Sequence, residues 1–385
     1  MMHPSHVILE WQILANILKG LYTMDEHTKH KLLEKNERLI NMVIERVRRD
    51  FPEDIAIIAL SGSFVTGDFH EKSDLDLIII NNTDRGWEIS SCFILDDVGY
   101  DLYCSPWNTR IEQQANLESP MVSSLIHMKV LYCAKPEFLE RLKGYQQKAL
   151  DELAKPIGET SLARAQAYIC MAKQSYAEAL LAEETGAVRY AAGNLALELF
   201  NAINCLNNTF FQQGIKRYLE ELRPLKYLPH HFEQTYLDLV NARSVEELRS
   251  MAFRLLKNTT VLYDQMQAEL VEPPVPTYDN LKGTYEEMWS NQRNKIIAST
   301  QAKDKSYAFL TALSAQDFLD EMLVSRGTAK FDVMKHFSAD ALETFQERFM
   351  EIMDEYLDEY KKVGREVARY ESIEELTKSF MGGSV

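Results

Sequence analysis

Between Leu60 and Ile80 the sequence reads LSGSFVTGDFHEKSDLDLIII, an order of residues that few folds accommodate. The β-branched run IAIIAL at 55–60 predicts a short buried strand, stopped by Ser61-Gly62-Ser63. A second strand is expected at 75–80, with Asp74 and Asp76 flanking Leu75 at its start. Strand side chains alternate, so the two carboxylates share one face while Leu75 and Leu77 enter the core. A turn that ends a strand at Gly62-Ser63 presents backbone N–H groups that suit phosphate oxygens, and the Ser63 hydroxyl adds a donor. Two carboxylates beside such a turn are the arrangement a divalent cation needs. A third acid, Asp101, interrupts the apolar stretch Gly99-Tyr100-Asp101-Leu102-Tyr103, where a charge is costly unless paired.

Around this block the pattern predicts helices at 5–22 and 26–49 and further strands at 92–95, 99–104 and 129–134. From Pro136 onward the texture turns helical, with helices expected at 136–153, 161–185, 191–213, 230–242 and 245–270. Glu272-Pro273-Pro274-Val275-Pro276 reads as a linker, because three prolines in so short a span exclude a continuing helix. Beyond it, Leu342, Phe345, Phe349, Ile352, Met353, Tyr356 and Tyr360 recur at helical spacing, opposite carboxylates. Only 15 Gly and 11 Pro in 385 residues weigh against an all-β chain. The expected class is α+β: a small mixed sheet flanked by helices, then predominantly helical parts. The expected division is 1–155, 156–272 and 280–385.

Charge and cysteine usage narrow the function classes. The net charge is −16 and no segment is strongly basic, so a long nucleic acid is not an expected partner. Cys92, Cys104, Cys133, Cys170 and Cys205 are odd in number and form no Cys-x-x-Cys pair, which argues against a disulfide framework or structural zinc. No apolar run reaches the ~18 residues of a membrane span. The N-terminal residues lack the pattern of a signal peptide. A reducing, cytoplasmic setting without a membrane is expected; the oligomeric state is left open.

A Gly-Ser turn, a short spacer, Asp-x-Asp opening an apolar strand and a lone Asp on a later strand resemble the nucleotidyltransferase superfamily, which includes polymerase β. The resemblance covers about residues 55–105 and is nearest to the minimal and kanamycin-nucleotidyltransferase-like branches. The segment at 123–142 and, less specifically, the helices of 161–240 are similar to parts of the same group. The resemblance implies an enzyme that moves a nucleoside monophosphate, taken as AMP from ATP, to a hydroxyl of a small acceptor with release of pyrophosphate. It implies that Asp74, Asp76 and Asp101 are catalytic and hold two Mg²⁺ (or Mn²⁺) ions, and that Gly62 and Ser63, joined by Ser73, bind the nucleotide. Phe64-Val65-Thr66 stand where a small or basic residue is more usual, so the motif itself sets no nucleotide preference.

Weaker signals lie in the helical half. Lys173 is the only lysine of the expected helix at 161–185 and could reach a triphosphate; a surface role is the plainer alternative. Asn194, Glu198, Asn201 and Asn208 form a polar stripe on an otherwise apolar helix. They read either as a buried network or as the wall of an acceptor cleft, with Glu198 as the general base. His27 with His30, and His230 with His231, lack further ligands and read as ordinary surface residues. A protein-modifying transferase and a non-catalytic nucleotide-binding module stand as the alternatives to a small-molecule enzyme.

Overall fold

The structure, a computed structural model, describes residues 24–382; the helix expected at 5–22 lies outside them. Helix α1 (Glu26–Asp50) is capped by Asp25, whose carboxylate accepts the Thr28 N–H at 2.9 Å. Its apolar stripe, including Leu39, Val43 and Val47, packs on one face of a five-stranded sheet. The strands are β1 (Ile55–Leu60), β2 (Leu77–Asn81), β3 (Ser91–Leu95), β4 (Val98–Cys104) and β5 (Lys129–Cys133), in the order β3-β4-β2-β1-β5. β1 is antiparallel to both β2 and β5, whereas β2 and β4 run parallel. β3 and β4 form a hairpin in which Asp96 and Asp97 take φ of 51° and 58°, the left-handed pair that matches strand twist.

β1 is buried along its whole length, as a central strand covered on both faces must be. A bulge between Ile55 and Ile57 turns Ala56 and Ile57 to the same side. That side is covered by α3 (Glu112–Ala115), α4 (Val122–Ile126) and α5 (Pro136–Ala154), following the four-residue α2 (Ser63–Thr66). β2 begins two residues later than the alternation suggested, so Asp74 and Asp76 stand just ahead of the ladder.

A helical assembly follows: α6 (Glu159–Leu181), α7 (Thr185–Leu206), α8 (Tyr218–Leu222), α9 (Phe232–Asn241) and α10 (Val245–Leu270). α6 ends before 185 and α7 starts at Thr185 rather than 191, because burial of Val188 and Ala191 outweighs the weak helix propensity of Thr185-Gly186. Buried Ala165, Ala172, Ala192 and Ala196 let α6 and α7 approach closely. α7 stops at Leu206 rather than 213, since Asn208 turns left-handed at φ 45°, a conformation asparagine tolerates.

Asn208 is then the tie between sheet and helices. Its Nδ2 donates to the carbonyls of Glu152, Leu153 and Lys155 at 3.0–3.1 Å, and its Oδ1 accepts from Arg164 at 2.7 Å. Helix ends leave carbonyls without intrahelical partners, although that of Glu152 also accepts the Lys155 N–H at 3.3 Å. Asn208→Ala is expected to cost about 1–3 kcal/mol, the range for stranding buried polar groups, read as a lower urea midpoint. An unchanged midpoint would show that water replaces the amide without loss.

The described chain divides into two compact units, Met1–Val271 and Glu272–Val385. The second contains α11 (Thr284–Met288), α12 (Asn294–Ala302), α13 (Lys305–Arg326), α14 (Leu342–Lys362) and α15 (Ile373–Met381). Its core gathers Tyr285, Phe331 and the expected apolar face of α14, all seven residues of which are buried. Among the described residues no helix is long and apolar enough to cross a membrane.

Candidate active site

The site begins where β1 ends. Gly62 has φ 65° and ψ −150°, a backbone region open in practice only to glycine. A Cβ placed there would fall 1.7 Å from Asp76 Oδ2, so the carboxylate occupies the space that the missing side chain leaves. The Ser61 N–H donates to the Asp76 carbonyl at 2.9 Å, which extends the β1–β2 pairing by one residue and fixes Asp76 beside the turn. The Ser63 backbone N–H favours the charged form of the Asp76 carboxylate.

Asp76 still meets the water of the cleft, yet protein crowds it enough to matter. Desolvation first, and the neighbouring Asp74 charge second, push its carboxyl up to about 6, against the opposing effect of the Ser63 N–H. A pair of repelling carboxylates, one set into a glycine cradle, is a donor set that a divalent cation would relieve, and the residues present fit such an ion. Ser73 is buried next to Asp74; its hydroxyl accepts the His70 N–H at 2.9 Å and its own N–H returns a bond to the His70 carbonyl. It braces the turn that delivers the acids.

These residues open on one cleft of about 430 Å³. Gly62, Ser63, Ser73, Asp74 and Asp76 line its sheet side, and Phe211 to Lys216 with Tyr218 line the other. The two walls are clamped together by Asp68, which accepts from Arg217 Nε and a terminal guanidinium nitrogen at 3.1 and 3.0 Å and from Lys216 at 3.0 Å. The Arg217 guanidinium holds the Asp68 carboxyl below its usual range. The Asp68 and Arg217 side chains are 15% and 14% exposed, so salt screens this pair less than a surface pair.

The other expected residues lie apart from this cleft. The parallel register sets Ile78 beside Tyr103, and two residues back it sets Asp101 beside Asp76 on the same face. The Asp101 side chain nevertheless faces solvent, takes the Cys92 thiol at 3.2 Å and is not part of the cleft wall. β4 alternates buried and exposed, so Asp101 never carries the burial cost expected of a charge inside an apolar strand. Among the described residues, no three His, Cys, Asp or Glu side chains gather as a metal-binding group. Lys173 is exposed on α6, outside the cleft wall. Glu198 is half-buried on α7; burial pushes its carboxyl up, and it is not part of the cleft wall.

Sequence reading missed Asp68, Lys216, Arg217 and His127, which shape or line the cleft from distant parts of the chain. Asp68 and Arg217 stand 149 positions apart, a spacing that no local pattern marks.

Residues 40–157 match the family model described as the nucleotidyltransferase domain. No curated protein matches the chain. Among solved structures, the crystal structure of a nucleotidyltransferase-like protein from Exiguobacterium sibiricum 255-15 is similar at a TM-score of 0.34 and 9% identity, over 63% of this chain and 86% of that one. The matched family performs nucleotidyl transfer and generally uses divalent metal ions. Residues 40–157 are thus similar to a nucleotidyltransferase domain, and a largely helical region follows them in the chain.

Proposed function

We propose that this chain transfers AMP from ATP to a hydroxyl of a small acceptor and releases pyrophosphate. The observation that carries the reading is the interlock of Gly62 with Asp76, next to Asp74, at the floor of a cleft of about 430 Å³. That volume falls in the range of small-molecule sites, which favours a small acceptor over a docked protein surface. The division of labour is a sheet domain to about 155 that holds the nucleotide and a helical part to about 272 that walls the acceptor side.

Asp74 and Asp76 would hold a divalent ion, Mg²⁺ or Mn²⁺; Asp101, on the neighbouring strand but outside the cleft wall, would have to leave the Cys92 thiol to help hold a second. Bound there, such ions neutralise charge on the triphosphate and acidify an acceptor hydroxyl. Gly62 makes room for the Asp76 carboxylate beside the turn. The Ser63 hydroxyl donates to a phosphate oxygen, and Ser73 keeps the 70–73 turn in place. Lys72 and Lys216 are cleft-lining cations suited to the outer phosphates, a role for which exposed Lys173 is less well placed. Catalysis on this plan is positioning and electrostatics, with no covalent bond to the protein. The five cysteines are all unpaired, which suits the reducing cytoplasm as the setting.

Thermal unfolding with and without Mg·ATP tests the reading. Ligand at 100 times its dissociation constant is expected to add about 2.7 kcal/mol to the stability of the unit that binds it. A melting curve unmoved by saturating magnesium and ATP together would sink the proposal.

A further inference from the structure

We infer that His127 is the general base that takes the proton of the acceptor hydroxyl, an assignment that rests on the nucleotidyl-transfer reading above. His127 follows α4, its N–H donating to the Ser123 carbonyl at 3.0 Å, and leads into β5. The side chain is exposed on the cleft wall, its ring 6.0 Å from that of Phe210. Leu60 pairs with both Leu77 and Lys129, so β2 and β5 start level on either side of β1. Strands lie 4.7–4.9 Å apart, so those two starts are about 10 Å apart, and Asp76 and His127 precede them by one residue and two on the wall of one cleft.

The other titratable side chains of the cleft have work of their own. Asp68 is held by Arg217 and Lys216, and the Nδ1 of His70 accepts the Lys72 N–H at 3.1 Å. Lys72 and Lys216 are assigned to the outer phosphates; burial pushes the Tyr218 hydroxyl up, and its ring is stacked on Phe211 at 3.7 Å. Asp74 and Asp76 are assigned to the cation. Imidazole is the side chain that takes up and gives back a proton near neutrality, and the His127 ring has the apolar ring of Phe210 as a neighbour.

In the step, the acceptor O–H proton passes to an imidazole nitrogen as the oxygen attacks the α-phosphorus. The bond from that phosphorus to the α,β-bridging oxygen breaks, and its electron pair leaves on pyrophosphate. His127 then gives the proton to solvent. A base at this position also activates water that enters an empty acceptor site, so the full chain with Mg·ATP alone is expected to release pyrophosphate slowly.

The test follows that release between pH 5.5 and 9 for the wild type, His127→Asn, His70→Asn and Glu198→Gln, with Mg·ATP binding measured separately by thermal shift. His127→Asn is expected to lower the rate roughly 10²–10⁴-fold, the span for losing a general base, and to erase the rise of rate with pH, while Mg·ATP binding is kept. His70→Asn removes the other imidazole of the cleft and is expected to keep that rise. A wild-type rate and pH profile in His127→Asn would overturn the assignment. So would a fall confined to Glu198→Gln, or a wild type that binds Mg·ATP yet releases no pyrophosphate. Absence of Mg·ATP binding in the wild type would instead overturn the nucleotidyl-transfer reading and the base with it.

Discussion

Asp76→Asn is expected to cut turnover by more than about 10²-fold, since changing even a residue behind a metal ligand typically costs 10–100-fold. The same change is expected to raise the melting temperature of the apo protein at pH 7. The sign follows from the carboxyl being raised from 3.8 to about 6 in the folded protein. A raised acid binds protons more readily folded than unfolded, so its charge destabilises the native state above pH 6, and that penalty fades as the pH falls toward 4. The gap between variant and wild type should therefore be widest at pH 7 and close by about pH 4. Melting curves across that range, read beside turnover with Mg·ATP, check both halves. A variant that unfolds early while keeping its specific activity would make these acids structural.

Gly62→Ala should damage both properties at once. Its φ of 65° with ψ of −150° lies in a region that costs an L side chain about 1–3 kcal/mol. The added Cβ would also collide with Asp76 Oδ2 at 1.7 Å. Either the turn opens or Asp76 swings away, and a 1 Å misplacement at a reacting centre can cost about 10²-fold. We expect a melting temperature lower by several degrees and turnover lower by at least that factor. Wild-type melting and turnover together would show that the interlock of turn and acid is not required.

Much of this centre is legible in the sequence because its parts fall within about twenty residues of one another and each is forced by a local demand. Gly62 is dictated by its backbone angles, Leu75 by the core and Asp76 by the cradle. The face of α14 is equally plain, since its buried residues recur at helical spacing. β4 was misread for an identifiable reason. Tyr103 is large and aromatic yet 46% exposed, held by Trp87 at 5.4 Å and by the Arg110 guanidinium, and it hid the alternation that leaves the Asp101 side chain exposed. The polar stripe of α7 misled differently. Asn194 lines a groove beside α9, Asn201 lines a small cavity on another side of the helix, and Asn208 has left the helix altogether. Helical spacing groups such residues on paper, and their neighbours separate them. The wall facing the acids was invisible because its anchor, Arg217, meets Asp68 only after the intervening helices have folded back.

Asn208 has a bearing on where such a chain can be cut and rejoined. The family match stops at 157, a few residues beyond the end of α5. The carbonyls of Glu152, Leu153 and Lys155 nevertheless find their donor more than fifty residues downstream. The core beneath the sheet borrows the ring of Phe210 from the same stretch. An excised fragment ending at 157 would lose the donor to the Leu153 and Lys155 carbonyls and bare an apolar surface together, so the unit of homology is shorter than the unit that can stand alone. Any shuffling of this sheet onto a different helical body would have to import residues 208–210, or supply an amide and a ring in their place.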